Sequence, residues 1–108
     1  MSWKGKNMKK IIKGKMYNTE TAKCWGGYEF SDYEDVNYVC EALYQKKTGE
    51  LFLYGEGGAM SKYGEAIGNN AWARGEKIIP LKTKKAKRWA EKHLDADTYI
   101  ELFGAVKE

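Results

Sequence analysis

The segment YVCEALYQKKTGELFLYGEGG, from Tyr38 to Gly58, constrains the fold more than any other part of the chain. Two runs of aromatic and aliphatic residues flank KKTGE, and Lys47-Thr48-Gly49 suits a type I turn closed by a glycine at positive φ. The segment therefore reads as an antiparallel hairpin, with Tyr44 and Leu53 expected in the core. Upstream, KKIIKGKMY reads as a shorter hairpin about Lys13 and Gly14, with Ile11, Ile12, Met16 and Tyr17 burying one face. NTETAK follows, where Asn18 or Thr19 as N-cap predicts one or two helical turns. WGGYEFSDYEDVN, from Trp25 to Asn37, mixes aromatics, acids and a Gly-Gly pair without a period and reads as a loop.

Beyond the central hairpin, EKIIPLKT gives a brief strand ended by Pro80, whose missing N–H favours a sheet edge or a strand end. Ala86, Trp89, Ala90, His93 and Leu94 then recur at helical spacing, with Leu81 as lead-in and Thr83 as the expected N-cap. A second helix is expected from Asp95 or Asp97 as cap, through Tyr99, Ile100, Leu102 and Phe103, to a stop at Gly104. These elements predict an α+β fold, a small antiparallel sheet of hairpins with four to six strands, packed by a C-terminal helical pair. At 108 residues the chain suits one such domain, expected over residues 8–108, with residues 1–7 as a frayed extension.

The glycine-rich stretch from Leu53 to Lys77 resists a single reading. GEGGAMSKYG lacks the spacing and the Gly-Lys-Ser/Thr ending of a phosphate loop, and Glu56 would oppose an anion. What remains is a long loop anchored by Met60, Tyr63 or Trp72, or a segment partly helical around MSKYGEAI. Functional use and plain irregular structure both fit a connection of this length.

Composition narrows the chemistry. No apolar run is long enough to span a membrane, and no apolar stretch follows the N-terminal lysines as it would in a secretory signal, so a cytoplasmic location is expected. Cys24 and Cys40 are too few for a disulfide scaffold, and with His93 they lack zinc-ligand spacing, so neither a metal nor another cofactor is expected. A Cys–His dyad can be drawn from His93 with either cysteine, but His93 falls on the apolar stripe of its helix. Glu29, Asp32, Glu34 and Asp35 offer carboxylates, yet in a pattern commoner on solvated surface than in acid–base catalysis. With no nucleophile motif present, a non-enzymatic protein is expected.

The net charge of +4 is segregated. Residues 16–45 carry one lysine against six acids, whereas residues 82–93 hold six bases against one acid. The basic block falls on a helix N-terminus, whose partial positive charge favours Asp or Glu instead. Lys84, Lys85, Lys87 and Arg88, with Lys82 just ahead, forgo that stabilisation; Lys84, Lys87, Arg88 and Lys92 share one exposed face. Three explanations stand: an anionic partner, the acidic block folded against this face, or simple solvation. If a partner is responsible, nucleic acid is its natural class, contacted at phosphates by Lys84, Lys85, Lys87, Arg88 and Lys92 and extended by Lys9, Lys10, Lys13 and Lys15. The alternative is a protein-binding module without nucleic-acid contact, in which the acidic loop docks a basic cleft through Tyr28, Phe30 and Tyr33, with Trp72 as a further candidate.

MKKIIKGKMYNTETAK, LYQKKTGELFLYGEGGAMSKY and EKIIPLKTKKAKRWAEKHLDADTY resemble a group of small proteins carried by prophages and conjugative elements of Gram-positive bacteria, over Met8 to Phe103. The resemblance implies an accessory or anti-defence role, such as inhibition of a type II CRISPR nuclease. Many such inhibitors are acidic DNA mimics, and the net +4 departs from that. It implies instead engagement of guide RNA or of the nuclease's nucleic-acid-facing surface as the partner.

Overall fold

The Tyr38–Gly58 hairpin forms the centre of the structure, a computed structural model that describes residues 7–108. The expected extension over residues 1–7 thus lies outside the described residues, apart from Asn7. In chain order the elements are β1 (Lys9–Ile12), β2 (Lys15–Asn18), β3 (Lys23–Phe30), β4 (Val39–Gln45), β5 (Leu51–Gly57), β6 (Glu65–Ala66), β7 (Trp72–Ala73), β8 (Gly75–Leu81), α1 (Thr83–His93) and α2 (Ala96–Phe103). The fold is α+β: an antiparallel sheet in the order β3-β4-β5-β8, the small hairpins β1-β2 and β6-β7, and the helical pair at the C-terminus.

β4 and β5 pair from Val39 opposite Gly57 to Gln45 opposite Leu51. The turn between them has Gly49 at φ 98°, and its N–H donates to the Lys46 carbonyl at 2.9 Å. Because side chains alternate across a strand, the hairpin carries two cores back to back. Ala42, Tyr44, Phe52 and Tyr54 face one side, with Ile78 of β8; Leu43, Leu51 and Leu53 face the other. Tyr44 and Leu53 are both buried, as the pattern predicts.

The first face is covered by β1-β2. Lys13 and Gly14 turn this hairpin at φ 52° and 79°, the paired positive values of a two-residue turn that matches strand twist. Tyr17 stacks edge-on against Phe52 with ring centroids 5.4 Å apart, and Ile12 packs beside it. Ile11 and Met16, opposite each other, point to solvent, so of the expected apolar set only Tyr17 is buried and Ile12 partly buried. NTETAK forms a turn with no helix: the Ala22 N–H reaches the Asn18 carbonyl at 3.2 Å, while the Asn18 side chain accepts from the Glu20 N–H at 2.9 Å. That local side-chain bond competes with helix formation.

The second face is covered by the helices. Ala86, Trp89 and Ala90 of α1 pack on Leu43, Leu51 and Leu53, and Tyr99, Leu102 and Phe103 of α2 extend the contact. The Asp95 carboxylate caps α2 by accepting the Thr98 N–H at 2.7 Å, and Gly104 ends it at φ 98°. The α1 boundary differs from expectation by one residue, since Lys82 is the N-cap and Thr83 is already helical. No helix of the described residues is long and apolar enough to cross a membrane.

Two further segments depart from their sequence readings. Trp25 to Phe30 is strand, not loop: β3 pairs with β4 along its length, and a bulge between Cys24 and Gly26 places Trp25 as the extra residue. Only the stretch after Phe30 remains a connection. The glycine-rich stretch has no helical part; it makes tight turns bonded to the neighbouring loop, through Gly58 N–H to the Tyr38 carbonyl at 2.9 Å and Met60 N–H to the Val36 carbonyl at 2.8 Å, and then the β6-β7 hairpin. Of the three expected anchors only Tyr63 is buried, while Met60 and Trp72 are exposed.

Tyr63 lies where β5 has no side chain. A Cβ on Gly55 would fall 2.1 Å from the Tyr63 ring, so glycine at 55 is what lets the segment seat against the sheet. Gly55→Ala is expected to cost about 1–3 kcal/mol in urea unfolding, as overpacking does, and to speed proteolysis within residues 58–74. Unchanged stability and cleavage would show that the ring does not depend on this gap.

Candidate nucleic-acid interface

The first turn of α1 leaves the bottom of the sheet, next to the β4-β5 turn, because Leu81 pairs with Leu51, which pairs with Gln45. No side chain caps the helix, no acid lies in its first turn, and the first intrahelical bond runs from the Ala86 N–H to the Lys82 carbonyl at 3.0 Å. Since Ala86, Trp89 and Ala90 turn inward, Lys84, Lys85, Lys87, Arg88 and Lys92 are all exposed. Lys87 leans toward α2, its Nζ 5.7 Å from the Phe103 ring centroid.

A groove of about 840 Å³ separates the start of α1 from the β1-β2 turn, and its walls include Lys13, Lys15, Lys82, Thr48, Tyr17 and Pro80. Glu50 is the acid in that lining. It is engaged by Lys15 at 2.7 Å and Lys46 at 2.9 Å, and their hydrogen bonds and charge hold its carboxyl down to about 2. Lys13 and Lys15 thus continue the basic surface across the groove. Lys9 and Lys10 do not line it, because Lys9 sits opposite Asn18 at the far end of the hairpin.

The acidic block does not fold against these bases. Asp32, Glu34 and Asp35 lie on the β3-β4 connection at the opposite end of the sheet, where Phe30 pairs with Val39 and Val39 with Gly57. Among the described residues the ion pairs are Lys15–Glu50, Lys46–Glu50 and Lys62–Glu41, and none includes α1.

The secondary candidates divide. Phe30, Tyr33 and Trp72 are exposed at that acidic end. Tyr28 is not part of the same surface: it sits half-buried under α1, stacked on His93 at 3.7 Å with rings 3° apart and 6.2 Å from Trp89. Burial, with the Glu41 charge beside it, pushes its hydroxyl up to about 12. This stack also fixes His93, whose burial lowers its pKa toward the neutral imidazole. Cys24 and Cys40 fall on strand positions facing the other core, so the sheet separates both thiols from His93 and no Cys–His dyad forms. Among the described residues no group of three or more His, Cys, Asp or Glu side chains is arranged to hold a metal ion.

The residue that positions this site was missed in the sequence. Glu41 lies in the middle of β4, 1 % exposed, on the face toward α1. Its carboxylate accepts hydrogen bonds from Trp89 Nε1 at 2.8 Å and from the Tyr63 hydroxyl, and pairs with Lys62 Nζ at 2.7 Å. Burial raises its pKa, but those three donors outweigh burial and hold it below the ordinary 4.5. The available signal was an acid at a core-facing position between Val39 and Leu43. A further missed feature is Arg74, whose guanidinium lies 3.8 Å over the Tyr33 ring and donates to the Tyr33 carbonyl.

Comparison with family models, curated proteins and solved structures returns no match for the chain. The functional argument rests on the residues themselves.

A carboxyl with a depressed folded-state pKa contributes stability above its unfolded pKa and loses it as pH falls through the folded value. Wild-type unfolding free energy is therefore expected to decline as pH drops below about 4.5, more steeply than in Glu41→Gln. Glu41→Ala should cost about 1–3 kcal/mol for each buried donor left without an acceptor, read by urea unfolding at neutral pH. A variant as stable as wild type would remove Glu41 from this role.

Proposed function

We propose that the protein is a non-enzymatic binding protein that engages nucleic acid, or a nucleoprotein, through the basic face of α1. The observation that carries the reading is the exposure of Lys84, Lys85, Lys87, Arg88 and Lys92 with no ion pair to a carboxylate among the described residues, while Asp32, Glu34 and Asp35 sit at the other end of the sheet. Cations at the positive end of a helix oppose its dipole, and an anion docked there reverses the sign of that interaction. Lys13, Lys15 and Lys82 in the walls of the groove extend the basic surface beyond α1, as contact at phosphates requires. Contact at phosphates implies affinity with little sequence preference. Likeness of residues 8–103 to proteins of prophages and conjugative elements makes a defence nucleoprotein, a type II CRISPR nuclease with its guide RNA, the first target to assay.

The test is fluorescence anisotropy with labelled single-stranded and duplex oligonucleotides across a salt series. Affinity is expected to fall steeply with salt, with a log–log slope of about −0.7 to −0.9 per phosphate contacted. Lys84→Glu, Lys85→Glu and Arg88→Glu combined should abolish binding. Acids in the first turn favour the dipole, so the Lys84 and Lys85 replacements should at the same time raise helix stability by roughly 0.3–1 kcal/mol each. Binding that is flat between low and physiological salt, or that survives the triple variant, overturns the proposal.

A further inference from the structure

The groove between the β1-β2 turn and the start of α1 has a lining that contact with phosphates alone does not require. Besides its lysines it is walled by Ile12, Tyr17, Leu51, Pro80 and Leu81. Tyr17 is 6 % exposed, with Lys46 Nζ 3.7 Å over its ring, and Leu51 is buried. The apolar surface that a ligand meets is therefore Pro80, which is exposed, with Ile12 and Leu81, which are half-buried. Pro80 stands opposite Phe52 and so lies on the face that the β1-β2 hairpin covers, yet the hairpin stops short of it. At about 840 Å³ the groove falls within the roughly 300–1,000 Å³ of sites that enclose small molecules.

Cations stand on both sides of this apolar strip. Lys13 and Lys15 belong to one wall and Lys82 to the other, and Lys82 leads along the chain into Lys84 and Lys85 of α1. Past Gly49, which the two share, a second depression of about 460 Å³ carries Lys23, Lys46 and Lys47. Glu50, the acid in the groove lining, is already held by Lys15 and Lys46. An occupant that matches this order is apolar and flat in the middle with an anion before and after it. A nucleotide within a strand has that form, because each base lies between two phosphates.

We propose that the groove is a base-binding subsite for single-stranded nucleic acid. An unstacked base lies against Pro80, Ile12 and Leu81, its two flanking phosphates meet Lys82 on one side and Lys13 and Lys15 on the other, and the strand continues along the lysines of α1. The subsite rests on the nucleic-acid reading of the basic face and narrows it to single strands. A duplex keeps its bases stacked inside, so it touches the lysines but leaves the apolar lining in water unless a base is extruded.

The test titrates the full chain, by fluorescence anisotropy, with an oligo-dT strand of about 12 nucleotides, a length suited to a small single-strand site, and with the same strand annealed to oligo-dA. Charge alone favours the duplex, which carries roughly twice the phosphates per unit length. The expected result is tighter binding of the single strand. Ile12→Thr combined with Pro80→Thr changes no charge, and is expected to weaken the strand about tenfold, as loss of a base contact does, while duplex affinity stays as in wild type. Pro80→Thr alone, at an exposed position, replaces the pair if that variant does not fold, with a smaller loss in the same direction. Equal or tighter binding of the duplex, or strand affinity indifferent to these variants, overturns the subsite and leaves the basic-face reading standing; binding of neither overturns both. Tighter binding of an acidic apolar peptide, lost in the same variants, also overturns it, by assigning the groove to a protein.

Discussion

One buried carboxylate organises this structure. Glu41 receives donors from two segments that are far from it in sequence: Trp89 from α1, and Lys62 and Tyr63 from the glycine-rich stretch. An ionised group in a core is unfavourable unless its lone pairs are met, and here three donors meet them. The same bonds have a directional effect. Trp89 can reach Glu41 only with the apolar stripe of α1 toward the sheet, which turns the lysines and Arg88 to solvent. Tyr63 reaches it only by crossing Gly55, which lays the glycine-rich stretch against the sheet and carries Met60, Trp72 and Arg74 to one end.

The polarity of the molecule follows from hairpin geometry. In an antiparallel sheet successive connections alternate between ends. The acidic 31–37 connection and the 58–74 stretch therefore share one end, while the β4-β5 turn and the start of α1 share the other. Charge blocks that alternate along the chain become two poles in space. Had the acidic block met the basic helix, each would have neutralised the other. Their separation leaves both fields directed outward.

Contiguous residues alone determined a good part of this protein. The hairpins about Gly14 and Gly49, the stripe of Ala86, Trp89 and Ala90, the Asp95 cap, the Gly104 stop and the edge position of Pro80 are all written in local period and turn chemistry. Exposure of Lys84 to Lys92 follows from the same stripe. Local pattern misled where a strand is paired on one side only: β3 carries Gly26 and Gly27 and a bulge, and the Gly26 site is hemmed by Leu94, 2.8 Å from where a Cβ would lie. It also placed Tyr28 at the surface, when α1 covers it with His93. Tertiary structure decided what depends on residues distant in sequence, namely the burial of Glu41 among donors 22 and 48 positions away, the seating of Tyr63, the Arg74–Tyr33 contact and the separation of the charged poles. Secondary structure is set by neighbours along the chain, but the environment of a charge is set by whatever the fold brings beside it.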